Sequence, residues 1–127
     1  MTWRWVDKQA LLLLHDESLA EHGGASGLRD EGLLDPALAR LQNRAVCESP
    51  NVAALAASYG VGVANSHAFI DGNKRVAFLS VGLFLAINGW RLNATQLEAT
   101  SAMLAVAAGE LDEAAFAEWL RQHITAR

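Results

Sequence analysis

Between positions 67 and 75 the chain reads His67-Ala68-Phe69-Ile70-Asp71-Gly72-Asn73-Lys74-Arg75, which sets a proton acceptor, a hard-cation ligand and several anion donors side by side. Imidazole changes charge near neutrality, so His67 could take a proton from an attacking hydroxyl, a contribution typically worth ~10²–10⁴ in rate. Asp71 follows in the same stretch. A single carboxylate beside phosphates is the usual way to hold Mg²⁺, with water and nucleotide oxygens filling the other positions. Gly72 lets backbone approach a ligand closely. Beyond it, the N–H groups of Asn73, Lys74 and Arg75 would be unpaired donors at the positive end of a helix, where an anion is stabilised. The Lys74 and Arg75 side chains add charge, and an arginine can grip two phosphate oxygens at once.

Each of these residues has a plainer reading when taken alone. His67 with Phe69 could be a histidine bonded to a backbone carbonyl beside a core aromatic. Asp71-Gly72 is also a common turn that caps the helix after it. A basic pair in a first helical turn is usually solvated, although the helix dipole opposes cations there. The ordered set is more specific than any member.

The elements that must position this stretch are helical. Asp7 can cap a first helix with Leu11, Leu12, Leu14 and Leu19 recurring on about one side, and Gly23-Gly24 ends it. The glycine-punctuated segment 24–32 reads as a surface loop free to move near a site. Asp35-Pro36 and Ser49-Pro50 each pair a cap residue with a proline at the first helical position. The second of these helices is expected from about Pro50 to Asn65, with Ala53, Ala56, Ala57, Gly60 and Ala64 permitting close helix contact. Another helix should begin near Asn73 and stop at Asn88-Gly89. Trp90-Arg91-Leu92 is too short to classify. Thr95 with Glu98 forms a capping box for a helix through Ala108, and Asp112 caps the last one, with Leu111 and Phe116 as its staple. No strand pattern matches these in strength. The expected class is all-α, an orthogonal bundle formed by a single domain over residues 1–127.

Composition narrows the functions. With 127 residues and 52% hydrophobic content, the chain can bury a core without disulfides or a structural metal. A net charge of -4 argues against direct nucleic-acid binding, which draws on clustered Lys and Arg. The apolar run Val76 to Ile87 is shorter than the ~20 residues of a membrane span. One cysteine and no signal-peptide core at Met1-Thr2-Trp3-Arg4-Trp5 suit the cytoplasm. His15 and His22 lack a third ligand at metal spacing and read as surface histidines, and His123 carries no signal. Cys47 reads as a small, partly buried residue. Trp3, Trp5, Trp90 and Trp119 read as core or interface contacts.

The stretch 67–75 resembles the His-x-Phe-x-Asp-x-Asn-Lys-Arg signature of the Fic/Doc superfamily, and more closely that of its death-on-curing (Doc) toxin branch. The resemblance extends from the Leu-rich first helix through Arg29-Asp30-Glu31-Gly32-Leu33-Leu34 to the Phe116 and Trp119 helix. It implies a compact Fic-type helical bundle with the catalytic loop between two central helices. It also implies His67 as general base, Asp71 as Mg²⁺ ligand, Gly72, Asn73, Lys74 and Arg75 as nucleotide phosphate grip, and Phe69 as anchor. The adenylylating Fic pattern has glycine where Lys74 stands and arginine where Phe78 stands. These departures argue against ATP in the usual adenylylating pose.

Doc-branch enzymes are instead described as kinases that bind ATP the other way round and phosphorylate a threonine of elongation factor Tu, arresting translation. That is the expected activity. Adenylyl or other nucleotidyl transfer through the same loop, and a non-catalytic nucleotide-binding helical module, are the alternatives. No Ser or Thr here is followed four residues later by the glutamate of a built-in inhibitory helix. Restraint is therefore expected from a small antitoxin whose disordered C-terminal segment folds into a groove near the site.

Overall fold

The computed structural model describes residues 3–25, 27–48 and 50–127. Six helices carry it: α1 Lys8–His22, α2 Asp35–Cys47, α3 Val52–Ala64, α4 Asn73–Ile87, α5 Gln96–Ala107 and α6 Glu113–His123. The short 3₁₀ helix Glu31–Leu34 leads into α2, and strands β1 Trp90–Leu92 and β2 Ile124–Ala126 form a small ribbon.

Helix ends follow their side-chain chemistry. The carboxylates of Asp7 and Asp112 accept from the N–H groups of Ala10 and Ala115, at 2.9 and 2.8 Å. Thr95 and Glu98 close a reciprocal capping box at the start of α5. Gly23, Gly89 and Gly109, with positive φ, follow α1, α4 and α5 closely. Two starts differ from expectation. Helix α3 is capped by Asn51, whose side chain accepts from Ala54 N–H at 2.8 Å, so Pro50 precedes the helix and Ser49 lies outside the described residues. Asp35 does not cap α2. The 3₁₀ helix runs directly into α2, Leu34 takes the cap position, and Asp35 instead pairs with Lys8 at 3.0 Å.

Helices α3 and α4 form the centre, with α6 and α2 packed on α3 and α1 on α4. Small residues make this possible. A Cβ on Gly60 would lie 2.6 Å from a Phe116 ring carbon and 3.0 Å from Val81, so α6 and α4 both close on α3 at that residue. Leu11, Leu41, Leu55, Phe84, Met103 and Phe116 bring one residue or more from every helix into a common apolar cluster.

The architecture is all-α as expected, and the small ribbon gives Trp90–Leu92, too short to classify from sequence, a strand partner. Trp90 pairs with Ala126, Arg91 with Thr125 and Leu92 with Ile124, antiparallel. Each strand is too short to show alternation, and the partners lie more than thirty residues apart, so only tertiary packing brings them together. Residues 4–6 are held by Asn88, which exchanges hydrogen bonds with the Arg4 backbone, and by Tyr59, whose hydroxyl accepts from Val6 N–H and donates to Val6 carbonyl. Burial pushes the Tyr59 hydroxyl up to about 12. Trp3 and Trp5 tilt over Phe84, while Cys47 proves exposed rather than partly buried. Among the described residues no helix is long and apolar enough to cross a membrane.

Candidate active site

The connector 67–72 joins the C-terminal end of α3 to the N-terminus of α4. Its shape has four supports. Phe69 is 2% exposed and anchors the connector in the core. The Asn73 side chain accepts from Phe69 N–H at 3.2 Å and donates to Phe69 carbonyl at 2.9 Å, closing the turn on itself. His67 sits at φ 54°, a left-handed conformation that histidine tolerates better than most residues. Gly72, at φ 84°, turns the chain into α4.

The segment after α1 is strapped to this connector. Arg29 and Asp30 both donate from their backbone to Ala68 carbonyl, at 2.9 and 3.0 Å, and Ile70 donates to Gly27 carbonyl at 3.3 Å. Leu28 faces Phe69 in an isolated antiparallel bridge. The loop expected to move is therefore tied by backbone bonds, with Ser26 outside the described residues. Asp30 holds its own end of the strap by accepting from Gly32 N–H at 3.0 Å.

These pieces border a cleft of about 890 Å³. His67, Asp71, Gly72, Asn73, Lys74 and Arg75 all line it, opposite Gln96, Thr100, Met103 and Leu104 of α5. The first turn of α4 contains no acidic residue. The main-chain N–H groups of Asn73, Lys74 and Arg75 find no acceptor among the described residues. Lys74 and Arg75 are exposed and form no ion pair among those residues. Three free donors and two cations thus stand together at a positive helix end, where an anion would be stabilised. Because the Asn73 amide is occupied by Phe69, its contribution to such an anion is its main-chain N–H.

Asp71 is exposed at the cleft edge. One carboxylate oxygen accepts from Gly72 N–H at 2.8 Å and the other from Ala25 N–H at 3.3 Å. Each oxygen keeps further lone-pair capacity for a cation. No group of three or more His, Cys, Asp or Glu residues able to hold a metal occurs among the described residues. Asp71 thus fits a divalent ion whose shell comes mostly from water and phosphate, not a protein cage.

One contributor was not foreseen. His15 reads from sequence as a surface histidine, yet it is 3% exposed, stacks on Phe69 with ring centroids 3.9 Å apart, and its Nε2 donates to Asp71 carbonyl at 2.7 Å. Its spacing from Leu11 on α1 was the available signal, since both belong to the buried stripe Leu11, His15 and Ser18. Of the remaining histidines, His22 borders the cleft, whereas His123 stacks on Trp119 away from it.

Comparison with known proteins gives the family. Residues 5–85 match the Fic/DOC family. The sequence is 32% identical over 120 residues, 94% of either chain, to the "Protein kinase doc" of Escherichia phage P1. It is 43% identical over 74 residues, 57% of either chain, to the "Toxin Doc" of Mycolicibacterium smegmatis. With the signature loop, the helical architecture and a near full-length relative all in agreement, the chain belongs to the Fic/Doc family, on its Doc branch.

Proposed function

We propose that this chain is a Doc-like toxin that, with Mg²⁺, transfers the γ-phosphate of ATP to a protein hydroxyl, with a threonine of elongation factor Tu as the target. The observation that carries the reading is the α4 N-terminus. Its free N–H groups, Lys74 and Arg75 share one cleft with His67 and Asp71. In this reading His67 takes the proton of the target hydroxyl as its oxygen attacks the γ-phosphorus, and the bond to the β–γ bridging oxygen breaks to release ADP. Gly72, Asn73, Lys74 and Arg75 hold the phosphates in line. Asp71 would hold Mg²⁺, which when bound neutralises phosphate charge. Phosphoryl transfer leaves the protein mainly positioning and charge stabilisation, which these groups supply.

Lys74 and Phe78 both line the cleft, and they favour phosphoryl over adenylyl transfer. A lysine side chain takes space that the adenylylating arrangement leaves for an α-phosphate, and a phenylalanine cannot pair with outer phosphates. The names of the two relatives, a kinase and a toxin, support the same reading. A small antitoxin would supply the restraint, and the cytoplasm, where the target resides, is the compartment it implies. The whole chain would act as one domain.

The test incubates purified protein with cell extract, Mg²⁺ and separately labelled ATP pools, followed by peptide mapping. Label from the γ-position on a translation-factor threonine is expected. Label from the α-position would replace the proposal with nucleotidyl transfer, and ATP binding without any protein label would leave a non-catalytic module.

A further inference from the structure

We infer that His15 is a positioning residue for the transfer reaction, one that aims the Asp71 carboxylate through the peptide bond joining Asp71 to Gly72. The inference rests on the function proposed above. Leu11, His15 and Ser18 form the helix's buried stripe, where aliphatic residues would satisfy packing without a polar cost. A buried imidazole must be hydrogen-bonded to be tolerated, and here the partner is the Asp71 carbonyl at 2.7 Å. A carbonyl only accepts, so Nε2 carries the proton.

The consequence follows from the planarity of the peptide. In a trans peptide the carbonyl and the next N–H point in opposite directions. Holding Asp71 carbonyl against His15 therefore sets the opposite direction of Gly72 N–H, which donates to one Asp71 carboxylate oxygen at 2.8 Å, while the other oxygen accepts from Ala25 N–H just beyond α1 at 3.3 Å. The same ring stacks on Phe69, so one side chain of α1 fixes two residues of the connector. His15 itself does not line the cleft. The phosphate cradle, by contrast, belongs to α4, whose main packing is on α3. Loss of the His15 bond should misdirect the carboxylate while leaving the cradle in place.

The test uses three variants of the full chain. His15→Gln carries an amide N–H to about the reach of Nε2. His15→Asn carries the same group one methylene short, and His15→Phe keeps a stacking ring without a donor. For the Asn and Phe variants we expect kcat to fall by ~10–100-fold, as for loss of a residue orienting a metal ligand. The Mg²⁺ concentration for half-maximal transfer should rise, with Mg²⁺-free ATP affinity unchanged. The Asp71 carbonyl and Gly72 amide NMR shifts should move in both, and His15→Gln should restore shifts and turnover substantially. If His15→Phe does not fold, the Gln and Asn pair decides. Wild-type kcat in His15→Asn, unmoved shifts in His15→Asn, or a Gln variant no better than Asn would each overturn the inference. Absence of phosphate transfer by the wild type would instead remove the proposed function, and the NMR shifts would still decide the role of His15.

Discussion

At the residue scale, the proposed reaction divides its work between His67 and Arg75, which both line the cleft. His67 is exposed on the connector in a left-handed conformation, so its ring is presented to the cleft and not packed into the core. Replacing it with alanine would remove the proposed proton acceptor but none of the α4 donors. His67→Ala should abolish transfer while retaining ATP binding, to be measured by single-turnover kinetics alongside calorimetry; normal transfer would remove the assigned base. In the proposed transfer Arg75 would supply charge where the phosphoryl group becomes most anionic. Arg75→Ala should lower kcat by ~10²–10³, the loss typical of deleting one preorganised donor. Unchanged turnover would count against the phosphate grip. Asn73 shows how one residue can serve two scales, since its side chain shapes the turn around Phe69 while its backbone N–H remains free.

Among the elements, most ends were legible because a cap is a local event. Asp7, Thr95 with Glu98, and Asp112 act within three residues of themselves, so their sequence context suffices. Asn51 caps α3, so the helix begins two residues after the Pro50 start expected from sequence. The β1–β2 ribbon and the strap from Gly27 to Asp30 onto the connector depend on distant backbone partners, and their side chains carry little trace of them. The α3 contact surface is different, because its small residues announce close packing. Gly60→Ala would place a methyl 2.6 Å from Phe116, in a rigid apolar contact. It should cost about 1–3 kcal/mol in chemical denaturation, the usual penalty for overpacking, despite alanine's higher helix propensity.

Across the whole molecule, one polar network ties three helices together. Glu113 of α6 accepts from Arg40 and Arg44 of α2, at 2.7 and 2.8 Å, and from Ser58 of α3 at 2.9 Å. Burial alone would raise the Glu113 carboxyl. Hydrogen bonds from Arg40 and Ser58 and the charges of Arg40 and Arg44 outweigh it and hold the group below its ordinary value of 4.5. A carboxyl depressed on folding contributes stability above its unfolded value and loses it as pH falls through the folded one. Thermal melts from pH 7 down through pH 4 to below the folded value, in the range where about one unit matters, should therefore show a smaller acid-induced drop for Glu113→Gln than for wild type. Equal drops would show that the network does not sense protonation.

What the sequence alone determined is what lies close along the chain: most helix caps, the helical class, and the nine-residue run that sets an imidazole, a carboxylate and two cations along one cleft. Contiguity made these readable, since residues on one turn share a site whatever the rest of the fold does. Only the tertiary structure decided that segment 27–30 is strapped down, that Trp90–Leu92 finds a strand partner, and that His15 reaches the Asp71 carbonyl across 56 positions. Those contacts depend on how α1 lies against α4 and α6 against α3. Helix packing sets that geometry through side-chain shape summed over many residues, which no local pattern records.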